Sequence, residues 1–176
     1  MATTEHNALL GTDSRLILPG KIINPNERER VTIGQDCLIQ GELKLWDGDG
    51  LIEIGDCSFV GEGTRIWSAN SIKIGNHVQI AHNCNLFDNN VHSMNWEERR
   101  VEFAHNVSGH IRKLHEVKAR PMRIEDDVWI CAGVHVVRGI TIGKGSVIGA
   151  GSVVMDSIPE FSLAVGNPAT VVRSLK

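Results

Sequence analysis

The chain has 176 residues, of which 41% are hydrophobic and 22% charged, with a formal net charge of −3. This length suits one domain that buries a full core without cross-links, and so small a charge excess gives no basic field to draw nucleic acid. No run approaches the ~18 apolar residues of a membrane span, and residues 1–15 lack the regions of a secretory signal, so a cytoplasmic protein without a membrane span is expected.

Residues 1–30 hold two short apolar runs, Leu16-Ile17-Leu18 and Ile22-Ile23, separated by Pro19-Gly20. An Asn24-Pro25-Asn26 turn and a charged run, Glu27 to Arg30, follow. No regular beat is read in this segment. One or two strands and an irregular cap are predicted, because an open strand edge would otherwise template aggregation.

From residue 31 a fixed rhythm begins. An aliphatic residue recurs at every sixth position: Ile33, Ile39, Leu45, then Ile54, Val60, Ile66, then Ile74, Ile80, Leu86. After one break it resumes at Ile124, Ile130, Val136 and ends with Ile142, Ile148, Val154. Small residues sit four places later, at Cys37, Thr64, Val78, Cys84, Val134, Ser146 and Ser152. Strand alternation turns both positions inward. Three hexads make one coil of about eighteen residues, so an all-β fold, a parallel β-helix over 31–159, is predicted. Strands of a sandwich would be spaced by irregular turns. Gly34, Gly55, Gly75, Gly143 and Gly149 follow aliphatic positions, as corners with unusual dihedrals or close backbone approach require.

Trp46-Asp47-Gly48-Asp49-Gly50 is a turn-rich insert at a corner. The single long break, from about 89 to 123, has no period and far exceeds the usual ~4–6-residue connection; such loops commonly carry function. Residues 160–176, with a Gly166-Asn167-Pro168-Ala169 turn, form a tail that folds back on the last coil. Cys37, Cys57, Cys84 and Cys131 show no C-x-x-C spacing and are taken as reduced core residues.

The candidate site is the root of the loop, His82-Asn83-Cys84-Asn85-Leu86-Phe87-Asp88-Asn89-Asn90-Val91-His92-Ser93. A histidine anchored there by a rigid coil faces whatever cleft the loop covers, and imidazole is the side chain suited to take a hydroxyl proton near neutrality. Asp88 could fix its tautomer in the manner of a triad. The alternative is a hydrogen-bonded knot at the loop root.

Taken with the Asp88-x-x-x-His92-Ser93 root, Asp127-Val128-Trp129-Ile130-x-Ala132-Gly133, Ile148-Gly149-Ala150-Gly151-Ser152-Val153-Val154 and the terminal Gly166-Asn167-Pro168-Ala169, the hexad array resembles the hexapeptide acyltransferases. Within them it is most similar to the sugar O-acetyltransferase branch of galactoside, maltose and xenobiotic acetyltransferases. The resemblance implies a left-handed parallel β-helix with one long protruding loop, assembled as a homotrimer with active sites between subunits. It implies acetyl-CoA as acyl donor, no metal, and a sugar hydroxyl as acceptor. His92 matches the family base; Trp129, Ala132 and Ala150 match positions beside the thioester and pantetheine arm, and Arg173 a cation near the nucleotide phosphates. Small residues at Ala132 and Ala150 would let a flat coil edge accept pantetheine amides as an added strand. The chain departs from the pattern at Met155-Asp156, Thr170 and Cys131, which leaves Lys144, Arg138 or Lys176 as other phosphate partners. It departs again at Gly61-Glu62-Gly63, where some members place an asparagine toward the acceptor.

Three other readings stay open. Ile80-Ala81-His82-Asn83-Cys84 resembles the catalytic segment of enzymes that N-acylate nucleotide-linked amino sugars, which would make His82 the base. His77 and His82, five apart, resemble the zinc site of γ-class carbonic anhydrases, but their hexad register differs and the first coils offer no third histidine. A β-helix used only as a scaffold would bind no acetyl-CoA. The loop itself carries Arg99, Arg100, Arg112, Lys113, Lys118, Arg120 and Arg123 against Glu97, Glu98, Glu102 and Glu116, with His105, His110 and His115. Its positive charge would steer an anionic acceptor or meet a neighbouring subunit.

Overall fold

The computed structural model describes residues 7–46, 48–107 and 118–176. Among these, eighteen strands form a stack of six coils. The first coil holds β1 (Leu9–Leu10), β2 (Arg15–Leu16) and β3 (Lys21–Ile23); the second β4 (Val31–Ile33), β5 (Leu38–Ile39) and β6 (Glu42–Leu45); the third β7 (Ile52–Ile54), β8 (Phe59–Val60) and β9 (Arg65–Ser68). The fourth holds β10 (Ile72–Ile74), β11 (Gln79–Ile80) and β12 (Asn85–Phe87), the fifth β13 (Met122–Ile124), β14 (Trp129–Ile130) and β15 (His135–Val136), and the sixth β16 (Thr141–Ile142), β17 (Val147–Ile148) and β18 (Val153–Val154). Strands at the same place in successive coils pair in parallel and build three sheets. The second sheet is extended by β19 (Ser162–Gly166), parallel to β17, and β20 (Ala169–Ser174), antiparallel to β19.

Every aliphatic residue of the beat lies inside this stack, none more than 4% exposed. The small inward residues are buried too, and the polar ones among them join coils through their side-chain atoms. Thr64 Oγ1 donates to the Ala81 carbonyl at 2.7 Å and accepts from the Cys84 N–H at 3.0 Å. Ser146 does the same between Pro159 (2.7 Å) and Ser162 (3.1 Å). A larger side chain would fill the space where those bonds cross, so the column stays small. The first sheet adds a further inward residue two places earlier, at Val31, Ile52, Ile72, Met122 and Ile140, all buried.

Two expectations change here. The N-terminal segment is a full coil of three strands, not one or two, and it does keep the beat. Leu10, Leu16 and Ile22 are six apart and pack on the core, while β1, β2 and β3 pair residue for residue with β4, β5 and β6. The rhythm is masked in sequence because Leu9, Ile17, Leu18 and Ile23 beside it are also apolar yet point outward. Cys57, taken as a core residue, is exposed, whereas Cys37 and Cys84 are buried and all four cysteines are free.

The corners divide two requirements that sequence reading joined. The glycines after the aliphatic positions serve close approach: a Cβ on Gly143 would stand 2.5 Å from the Glu160 nitrogen, and one on Gly55 2.7 Å from the Gly75 carbonyl carbon. The left-handed backbone falls two residues later, on Asp36, Cys57, His77 and Asp127, with φ between 55° and 59°. That slot explains His77 as a corner residue and places Cys57 at the surface.

Long excursions leave from the corner between the third and first sheets. After β12 the chain runs out into α1 (Trp96–Val107), a helix inside the segment that shows no period in sequence. Asn95 caps it, its Oδ1 accepting the Glu97 N–H at 2.8 Å. No helix among the described residues is long and apolar enough to cross a membrane.

Candidate active site

Asp88 closes β12 and is fully buried. Burying a carboxylate is costly unless donors surround it, and here they do. Its Oδ2 accepts from Ser68 Oγ at 2.7 Å and the Asn70 N–H at 2.9 Å; its Oδ1 accepts from the Ala69 N–H at 2.8 Å and Asn89 Nδ2 at 3.1 Å. Its backbone carbonyl takes the Arg120 N–H at 2.8 Å, so the outgoing and returning ends of the loop meet on one residue. This is the knot. With its oxygens engaged in the coil corner, Asp88 is not the carboxylate that meets His92.

Beyond the knot the backbone is clamped in an unusual shape. Val91 has φ of 60°, a left-handed conformation rare for a β-branched residue, and the His92 N–H reaches the Asn90 carbonyl at 2.5 Å. Such a conformation costs about 1–3 kcal/mol and persists only where surroundings enforce it. They do: Asn89 Oδ1 accepts the Val91 N–H at 2.9 Å, and Arg138 Nε donates to Asn90 Oδ1 at 2.6 Å. The turn presents His92 at the surface, its side chain 56% exposed, with Nδ1 3.3 Å from Glu102 Oε2 on α1. Glu102, itself only 20% exposed, is the residue that sequence reading missed. Its signals were Asn95 as a helix cap and the Glu98, Glu102 spacing of one helical turn.

His82 stands elsewhere. It occupies the corner between the second and third sheets, with Ala132 and Ala150 at the same place in the next two coils. The His82 carbonyl accepts the Gly133 N–H at 3.0 Å, and the Ala132 carbonyl accepts the Gly151 N–H at 2.9 Å. Next to this corner, on the outer face of the second sheet, Trp129, Val147, Leu163 and Arg173 are successive partners in register. Trp129 is 51% exposed despite its size. The structure therefore gathers His82, Trp129, Ala132, Ala150 and Arg173 on one side, while His92 leaves from the other edge of the third sheet. Among the alternative cations, Lys144 Nζ pairs with Asp127 at 3.4 Å, Arg138 is held by Asn90, and Lys176 Nζ lies over the Phe161 ring at 3.8 Å.

Arg112, Lys113, Glu116, His110 and His115 lie outside the described residues. Among the described residues no group of three or more His, Cys, Asp or Glu side chains is placed to hold a metal ion. Burial pushes the thiols of Cys37, Cys84 and Cys131 above their ordinary value, which makes them poor nucleophiles.

Residues 121–155 match the family described as bacterial transferase hexapeptide (six repeats). No curated protein sequence matches the chain. Among solved structures, the hexapeptide-repeat-containing acetyltransferase VCA0836 from Vibrio cholerae is 27% identical over 97% of this chain and 75% of its own, with a TM-score of 0.66. The same protein complexed with acetyl coenzyme A is 28% identical over 97% and 72%, with a TM-score of 0.55. AntD, an N-acyltransferase from Bacillus cereus in complex with dTDP-4-amino-4,6-dideoxyglucose and coenzyme A, is 18% identical over 95% and 83%, with a TM-score of 0.74. At that identity the likeness is one of fold. The six-coil stack, the hexapeptide repeat at 121–155 and the likeness to VCA0836 support an acyltransferase built on hexapeptide repeats.

Proposed function

We propose that the protein transfers an acetyl group from acetyl-CoA to a hydroxyl of a sugar, with His92 as general base. The observation that carries this reading is the imidazole at the end of the clamped turn. If Nδ1 holds the proton shared with Glu102, the lone pair on Nε2 is available to an acceptor. His92 would take the hydroxyl proton as oxygen attacks the thioester carbonyl; the C–S bond then breaks, and the imidazolium returns a proton to the leaving thiolate. A base so placed supplies ~10²–10⁴ in rate, with positioning supplying more.

The donor would lie along the second sheet. Trp129 offers an exposed ring, Ala132 and Ala150 a corner low enough for a pantetheine arm, and Arg173 a fork for phosphate. Since His92 leaves from the opposite edge of the third sheet, joining it to that groove calls for a second copy of the chain, as in a homotrimer with sites between subunits. Met94, Trp96, Phe103 and Val107, all exposed on or beside α1, would supply apolar contact. The enzyme would work in the cytoplasm, where acyl-CoA is made. Binding of donor in other hexapeptide-repeat folds supports the choice of acetyl-CoA; the sugar acceptor draws on the resemblance and on the amino sugar nucleotide bound by AntD.

A panel of sugars, amino sugars and their nucleotide derivatives, assayed with acetyl-CoA, tests this. Wild type and His82→Ala should O-acetylate a member of the panel, and His92→Ala should lose ~10²–10⁴ in kcat with donor KM little changed. N-acetylation abolished by His82→Ala but not by His92→Ala would instead make His82 the base. No transfer and no calorimetric binding of acetyl-CoA would leave a scaffold.

A further inference from the structure

We infer that Glu102 is the positioning residue of the site, holding His92 in the tautomer that leaves Nε2 unprotonated, so that the inserted helix is part of the catalytic apparatus. The inference rests on the reading of His92 as base.

The geometry points to α1 as an instrument aimed at two consecutive residues. Glu98 and Glu102 are four apart and so share one face of the helix. The first accepts a hydrogen bond from Ser93 Oγ; the second meets the Nδ1 of His92 at 3.3 Å. The helix start is fixed to Ser93 and Met94. Arg99 Nη1 donates to the Ser93 carbonyl at 2.8 Å and the Met94 carbonyl at 2.9 Å, and Ser93 Oγ also receives the Asn95 N–H at 3.1 Å. Meanwhile Trp96, Phe103 and Val107, which would face inward on an ordinary surface helix, are exposed. The helix thus turns its carboxylates toward its own loop root. A carboxylate only accepts, so its ring partner must carry hydrogen on Nδ1, and the neutral imidazole is left with its lone pair on Nε2. Asp88, four residues from His92 in sequence, is already saturated by four donors and cannot serve.

The test is the tautomer of His92, read from nitrogen-15 chemical shifts of the full-length protein at a pH where the ring is neutral, with the signal assigned by its loss in His92→Ala. Wild type should show hydrogen on Nδ1. Glu102→Ala should return the ring to a mixture dominated by hydrogen on Nε2, and kcat should fall roughly tenfold to a hundredfold, less than where such a partner is buried, with donor KM unchanged. Glu98→Gln loosens the same helix face without touching the imidazole and should keep the wild-type tautomer. The double variant His92→Ala, Glu102→Ala should be no slower than His92→Ala alone. A wild-type tautomer in Glu102→Ala, or an equal change in Glu98→Gln, would overturn the inference. Full activity of His92→Ala would overturn the assignment of the base instead, and the spectrum would still report on the pair.

Discussion

Asp88 and His92 differ in what each is for, although they stand four residues apart. Asp88 is a structural anion whose donors come from two coils, so Asp88→Ala should leave the buried Ser68 hydroxyl without its acceptor and the part-buried Ala69 and Asn70 N–H groups without theirs. The expected cost is at least about 2–3 kcal/mol, seen as a lowered denaturation midpoint, while His92→Ala should leave that midpoint close to wild type because its ring is exposed. A midpoint for Asp88→Ala equal to wild type would remove the knot. The buried thiols make a second statement about stability. Desolvation raises the Cys84 and Cys37 values above the ordinary 9.0, so the folded chain keeps protons that the unfolded chain releases as pH climbs past that value. Stability is full below about 9 and falls above it as these thiols are forced to ionise. Urea midpoints should decline on the alkaline side, less steeply in Cys84→Ala, and alkylating reagents should modify Cys57 well before Cys84.

At the scale of elements, α1 is the piece that the sequence hid. Strands betray themselves here by a period of six, but Trp96, Phe103 and Val107 mark the wrong side of a monomeric helix, and the inward side is charged. Only the capping residue Asn95 and the acidic first turn spoke for it. The first coil was hidden for the opposite reason, too many aliphatic residues rather than too few. The corners were half legible: glycine could be read as close approach, but the left-handed slot accepts Asp, Cys and His as well, so composition did not reveal it. If the exposed face of α1 meets a second copy, Phe103→Ser should reduce the mass found by sedimentation equilibrium and keep the circular dichroism of the coils. An unchanged oligomer would free that face of any role in assembly.

For the molecule as a whole, the rod was almost entirely readable. Each hexad repeats one physical demand, an aliphatic residue inside and a small one beside it, and successive coils stack like on like. The site was readable only as a list. Sequence order puts Asp88 beside His92, yet the coil turns the first inward, and it puts His82 ten residues from His92, yet the third sheet stands between their corners. What the list lacked was Glu102, which joins His92 through a helix that no repeat announces. The stack thus supplies stiffness, and its one long break carries the proposed base. The account's central claim is that His92 deprotonates the acceptor, and the most direct measurement is initial acetyl-transfer rate against pH for wild type and His92→Ala on the best acceptor. The expected result is a wild-type rate that rises with pH and a variant slower by ~10²–10⁴ that lacks this rise. A variant with the wild-type rate and the same pH dependence would contradict it.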